Sequence, residues 1–206
     1  MTHGDDSDLD LSPLNEWLRG RHALTGVAPT WDVREVPDDP AALFAEWLRD
    51  AADAGVAEPQ TVTLATVDAD GIPDARTLIL KRIDARGWAF ASTRSSRKGA
   101  QLAVAPAAAL NFWWQPQVRA VRVRGRVEEA TPEESAADLA ARSASAQAGI
   151  AEGDWVLWRI VPSRVEFWQG ETDRRHTRLV YEAAGDRWSR TISGRAADRM
   201  EEEARA

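Results

Sequence analysis

Apolar and polar positions change rhythm several times along the chain, and each change marks an element. The first strong signal is helical. Leu43, Phe44, Trp47, Leu48 and Ala51 recur at spacings of three and four, which predicts a helix over about 40–54 with one apolar face. Asp38 or Asp39 can cap it, Pro40 fits its first turn and Gly55 its end. From Thr61 the period becomes two. Residues 61–67 alternate, Asp68 to Gly71 supply a turn, and 75–83 read as a second strand; Asp84 to Gly87 make another turn before a short strand over 87–92. Two such hairpins in succession predict a meander.

Ser95 or Ser96 caps a short helix over about 97–104, which Pro106 ends, and 108–114 pairs with 118–128 around Gln115-Pro116-Gln117. Thr131-Pro132-Glu133-Glu134 has the form of a capping box with proline in the first turn, so a helix is expected over about 132–145. Strand patterns resume at 155–161, 164–168, 178–182 and 187–191. Short strands in hairpin spacing, with three inserted helices, do not form a βαβ series. They predict a mainly β fold with helices, an antiparallel sheet closed as a small barrel. Residues 1–37 read as a flexible leader: Leu14, Trp17 and Leu18 make one helical face, but Gly20, Gly26, Pro29 and Pro37 interrupt everything around it. Residues 38–194 form the body, and 195–206 a charged tail.

Composition narrows the function classes. With 206 residues and 44% apolar, the chain holds one domain with a real core. It has no cysteine, which excludes disulfides, thiolate metal sites and a cysteine nucleophile. No apolar stretch is long enough to span a bilayer, and the opening MTHGDDSDLD is too charged for a signal peptide, so a cytoplasmic protein without a membrane partner is expected. A net charge of −7 disfavours nucleic acid. Of the 26 basic residues only Lys81 and Lys98 are lysine, which a bias toward arginine would also produce.

Glycine-rich phosphate loops, GxSxG and histidine pairs at metal spacing are all missing. His3 and His22 fall in the leader, leaving His176 alone in the body, and no metal site is expected. The remaining candidates are cationic. Arg76 and Lys81 flank one strand, and Arg94, Arg97 and Lys98 gather at a helix start: either a phosphate site or a solvated basic edge. Arg76 and Lys81 are an odd number apart, so they reach one phosphate only if the strand is bulged or passes the ligand edge-on. Arg122, Arg124 and Arg126 alternate with valines, as a solvent face or a dimer contact would. Arg174, His176 and Arg178 share one face if extended, and two guanidiniums beside an imidazole could hold an anionic substrate and keep the ring neutral, ready to polarise it or accept a proton.

Together these pieces resemble the pyridoxamine 5′-phosphate oxidase family. The resemblance starts at the helix over 40–55 and runs through ATVDADGIPDARTLILK, FASTRSSRKGAQL, VEFWQG and RRHTRLVY, about two-thirds of the chain in order. It implies an antiparallel six-stranded split β-barrel that binds FMN, with a C-terminal dimerisation region at about 155–194. It also implies a homodimer with two FMN sites at its interface, and oxidation of pyridoxine or pyridoxamine 5′-phosphate to pyridoxal 5′-phosphate by dioxygen, with hydrogen peroxide released. Carried over by position, Arg76, Thr77, Leu78, Ile79 and Lys81 line the FMN, Ser92 bonds the flavin, Arg97 and Lys98 grip its phosphate, and Trp168 and Arg178 close the site. Arg174 and His176 hold the substrate over the ring, with Lys81 and Arg142 toward its phosphate. Both lysines are then phosphate ligands.

This chain departs from the family pattern at several positions. Asp138 and Ala146 stand where the family has a tyrosine and a serine beside the substrate phosphate, and Ala120 replaces a glutamine that contacts FMN. The segment before Trp155 is short, and no Arg-Leu-x-Pro follows Trp188. These departures admit two alternatives: a flavin oxidase for a phenazine-type or other secondary metabolite, or a flavin-binding module without catalysis. A deazaflavin-dependent reductase fits the FWQG and RxHxR segments less well.

Overall fold

The computed structural model describes residues 9–205; the first eight residues of the leader, His3 among them, and Ala206 of the tail lie outside that range. Helix α1 (Ser12–Arg19) buries none of its side chains. The rest of the leader lies on the body: Val27 N–H donates to the Pro116 carbonyl at 2.8 Å, Trp31 meets Trp47 edge-on at 4.7 Å, and Val33 is buried. Helix α2 (Pro40–Asp53) begins at Asp39, whose carboxylate accepts the Ala41 N–H. Its predicted apolar face enters the core, where Phe44 packs on Trp88 and Phe112 and Trp47 on Phe167.

The strands are β1 (Thr61–Val67), β2 (Pro73–Ile79), β3 (Arg82–Asp84), β4 (Gly87–Thr93), β5 (Ala107–Trp114), β6 (Arg119–Glu129), β7 (Trp155–Gln169), β8 (Thr177–Ala184) and β9 (Arg187–Ser193). All pair antiparallel, in the order β2-β1-β5-β6-β7-β4-β3, with β8 and then β9 branching from β7. This corrects the expected meander. The run over 75–83 is two strands lying at opposite ends of the sheet path. Leu80 N–H donates to Gln60 and Lys81 N–H to Ala89, at 3.0 and 2.8 Å, so the chain leaves the β1 side and joins β4 within one residue.

The expected count of six strands is also exceeded: the sheet has nine. The cause is the length of β7. Its first half, 155–160, pairs with β4, and its second half, 164–169, pairs with β8, so the sheet forks along one 15-residue strand. Sequence reasoning divides that strand at Pro162. The structure keeps it continuous by a register shift at Arg124/Gly125, where a Cβ on Gly125 would lie 1.9 Å from the Val161 carbonyl oxygen. Inward rows of the strands, such as Val62/Leu64, Leu110/Phe112, Val121/Val123 and Val165/Phe167, complete one core with α2.

Helix α3 (Arg97–Val104) is capped by Ser96. Helix α4 (Pro132–Ala140) carries the full capping box but stops before 145, because Ser143 accepts the Ala146 N–H and starts a new turn, α5 (Ala144–Gln147). Helix α6 (Arg195–Arg205) ends the described chain.

Candidate active site

A cationic cradle forms where β2 meets α3. Alternation places Arg76 and Leu78 on the half-buried row of β2 and leaves Thr77 and Ile79 exposed. The Arg76 guanidinium donates to Asp74 Oδ2 and to Gln101 Oε1, both at 2.9 Å, and to the Thr66 hydroxyl. Arg97 Nε reaches the same Asp74 oxygen at 3.2 Å. The Gln101 hydrogen bond, with Arg76 and Arg97 beside it, holds the Asp74 carboxyl below its ordinary value. Ser92 Oγ and Ser96 Oγ are 3.2 Å apart at the helix start. Lys98 differs from these residues. It is half-buried and has no ion pair among the described residues, and burial together with Arg76 pushes its ammonium below the ordinary lysine value. A partly desolvated cation beside another cation gains from a bound anion, and the free N–H groups of the first turn of α3 add to that preference.

A second cluster lies beyond the break after Ile79. Lys81 Nζ is 3.9 Å from Asp138 Oδ1 on α4, and Asp138 Oδ2 accepts the Trp155 indole N–H at 2.9 Å. Arg142 lies over the Trp155 ring at 4.4 Å and points Nε to the Ala146 carbonyl at 3.4 Å. The structure therefore brings Lys81, Asp138, Arg142 and Ala146 together. It does not bring Arg76 to Lys81: the strand is neither bulged nor edge-on between them but ends after Ile79, and Arg76 goes to α3 while Lys81 goes to α4. Helix α4, Trp155 and the turn over 148–154 enclose a cavity of about 450 Å³ lined by Leu139, Ile150 and Val156.

The third cluster lies at the far end of β7. Arg174, His176 and Arg178 do not share an extended strand, because β8 begins only at Thr177. Residues 171–176 form a turn in which Arg174 is exposed and takes φ +68. His176 Nδ1 accepts the Glu171 N–H at 3.0 Å, and its ring lies 4.8 Å from that of Trp168. Burial, then the Arg178 and Arg174 guanidiniums, push the imidazole below its ordinary value. The neutral ring with Nδ1 occupied carries its proton on Nε2, so it presents a donor and not a base. Ala120 stands opposite Trp168 on one side of the ladder and Arg178 on the other.

Beneath this cluster Glu166 is buried against Arg122, Arg164 at 2.8 Å and Arg178 at 3.8 Å. Burial alone would raise its carboxyl, but the Arg122 hydrogen bond and the Arg164 charge outweigh burial and hold it low. Arg122, the first of the alternating set, thus serves this cluster, while Arg126 pairs with Glu128 at 2.5 Å. Sequence reasoning passed over Asp74, Gln101, Glu166 and Trp155. Gln101 lies one helical turn after Arg97, and Glu166 two strand positions before Trp168, and both spacings were readable.

Among the described residues no hydrogen bond, ion pair or ring contact joins the cradle to the Trp168 cluster. Thr77 aligns through Thr63, Asn111 and Arg122 with Glu166, four strand steps that amount to roughly 19 Å along the sheet.

Comparison with known proteins bears on that separation. A family model described as Pyridoxamine 5′-phosphate oxidase matches residues 48–169. A second, described as the Pyridoxine 5′-phosphate oxidase C-terminal dimerisation region, matches residues 155–192, which hold Trp168, His176 and Arg178. The pyridoxine/pyridoxamine 5′-phosphate oxidase of Thermosynechococcus vestitus is 38% identical over 187 residues, covering 76% of this chain and 89% of its own. That of Burkholderia cenocepacia is 38% identical over 192 residues, covering 77% and 90%. Among solved structures, PhzG from Burkholderia lata 383, in complex with tetrahydrophenazine-1-carboxylic acid, aligns with TM-score 0.76 at 25% identity over 82% of this chain and 100% of its own. A pyridoxamine 5′-phosphate oxidase-related, FMN binding protein from Nostoc punctiforme has the same fold, with TM-score 0.62 at 17% identity over 76% and 98%.

Proposed function

The chain belongs to the pyridoxamine 5′-phosphate oxidase family of FMN oxidoreductases, and from that premise we propose that it is a flavin oxidase acting on a substrate with a B6-type ring. When bound, FMN supplies the two-electron acceptor that takes the hydride from the substrate carbon bearing the alcohol or amine; dioxygen then receives both electrons and two protons and leaves as hydrogen peroxide. The observation that carries the proposal is Lys98: a half-buried ammonium beside Arg76, at a helix start, without an ion pair among the described residues. These groups fit a phosphate monoester. Arg97, exposed and held only by Asp74, adds a charge-assisted bond from the rim. Thr77, Leu78, Ile79 and Ser92 are the remaining residues this reading assigns to FMN.

Arg174 and His176 position the substrate. The Nε2 proton of His176 is offered to a substrate oxygen, and Arg174, exposed on a strained turn, is free to cover the ring. Trp168 and Arg178 close the flavin side. Because cradle and Trp168 cluster are far apart in one chain, each complete site takes its cradle from one copy and its Trp168 cluster from the second, across the dimerisation region.

One observation favours a second reading of the same site. Asp138 places a carboxylate at Lys81, which disfavours a phosphate there, and the ligand named with PhzG, tetrahydrophenazine-1-carboxylic acid, carries no phosphate. The test is the visible spectrum of the purified protein before and after FMN is added and the excess removed, followed by anaerobic titration with pyridoxine and pyridoxamine and their 5′-phosphates. Flavin retained and bleached by any of the four supports the proposal. A colourless protein sinks it, and flavin that none of them bleaches leaves the phenazine-type substrate or the non-catalytic module.

A further inference from the structure

We propose that Asp138 is a specificity-determining residue: its carboxylate is a built-in counter-anion for Lys81, and the site takes ring substrates whose arm at that end is uncharged and hydroxyl-bearing. The inference rests on the reading of Lys81 and Arg142 as substrate groups. Lys81 Nζ stands 3.9 Å from Asp138 Oδ1, and the Trp155 indole holds Oδ2 at 2.9 Å, so the carboxylate is anchored and does not swing away. Arg142 is laid on the Trp155 ring, with Nε turned to the Ala146 carbonyl. The Asp138 and Lys81 side chains keep only 15% and 25% of their exposure, so water screens the pair weakly.

A phosphate monoester adds nearly two negative charges. Set against Lys81, it meets the Asp138 carboxylate at similar range, and an anchored like charge opposes binding. A hydroxymethyl arm has the opposite fortune. It finds a donor in Lys81 and an acceptor in Asp138, and so uses both ends of its hydroxyl. Asp138 would thus reject the phosphate ester and accept the free alcohol by the same pair of atoms.

The test titrates pyridoxal and pyridoxal 5′-phosphate into the flavin-loaded dimer, read by perturbation of the flavin spectrum. The unsubstituted protein is expected to bind pyridoxal at least about threefold more tightly than pyridoxal 5′-phosphate. Asp138→Asn removes the charge and keeps an acceptor for Trp155. It should tighten pyridoxal 5′-phosphate about tenfold and weaken pyridoxal, because the amide's one acceptor is taken by Trp155 and its NH2 faces the arm. Adding Lys81→Met to Asp138→Asn should abolish that gain, which a merely structural role for Asp138 would not predict. Equal or tighter binding of the phosphate ester in the unsubstituted protein, or an unchanged ratio in Asp138→Asn, overturns the inference. Failure to retain flavin overturns the oxidase reading instead; the same titrations on the flavin-free protein, followed by the ligand's own absorbance, then decide the role of Asp138 by the same ratio.

Discussion

The cradle at β2 and α3 and the cluster at the end of β7 are both rich in arginine, but they handle charge in opposite ways. In the second, each guanidinium near Glu166 shares that buried carboxylate, and the charges close on themselves. In the first, Asp74 satisfies Arg76 and Arg97 while Lys98 is left without an ion pair among the described residues. One region gathers its guanidiniums on a single buried carboxylate and lays Trp168 under His176. The other leaves one half-buried cation without an ion pair among the described residues, and the proposed function assigns it to an anion. A closed network contributes shape; an open one contributes affinity.

The sharpest way to break this comparison is to damage the two regions in different chains. Arg97→Ala with Lys98→Ala in one copy, or His176→Ala in the other, should each lower kcat/KM by about 100-fold or more. Co-refolding the two variants should restore about a quarter of the sites, since half the dimers then carry one intact site. No recovery would mean that one chain supplies both halves. A smaller effect separates the roles. Lys98→Ala should weaken FMN by at least ~10-fold while riboflavin, without a phosphate, is little affected; His176→Ala should leave both unchanged in a flavin titration.

Protonation probes the platform alone. The His176 pKa lies below that of the unfolded chain, so the neutral ring's contribution to stability is present above the unfolded value and is lost as pH falls through the folded one. Activity should accordingly fall on the acid side as the imidazole charges and releases the Glu171 N–H, and His176→Gln should remove that limb from the pH profile of kcat/KM. The smallest effect is expected at the helix carrying Asp138. Thr131→Ala removes the cap of α4 and should cost about 1 kcal/mol in thermal unfolding, with FMN affinity unchanged.

Much of the architecture was legible in the chain because local rules governed it. The Asp39 cap, the Thr131–Glu134 capping box and the alternation of 61–67 are each decided by neighbours in sequence, and all formed as read. The clustering of Arg94, Arg97 and Lys98 at a helix start was legible for a different reason, their nearness in sequence; the scarcity of lysine, which an arginine bias also produces, did not mark Lys98, and its role came from the family resemblance alone. What was hidden depends on pairing. Nothing local says that 75–83 must break after Ile79, since each half alternates well; the break follows from which partner each half finds, β1 or β4. Likewise β7 stays whole at Pro162 only because Gly125, far away in sequence, lets the backbones close. The turn over 171–176 misled because RxHxR is a good strand pattern, while the Glu171 N–H captures His176 and starts the strand one residue later.

The break at Leu80 has a consequence for how such a protein can change over generations. Arg76 and Lys81 are separated by four residues of chain, yet one is tied to Gln101 on α3 and the other faces Asp138 on α4. Under the proposed function, mutations on α4 therefore retune what is oxidised without passing through the residues assigned to the oxidant. Natural variation can rewrite one text while the other is copied unchanged, and Asp138 is a letter in the first.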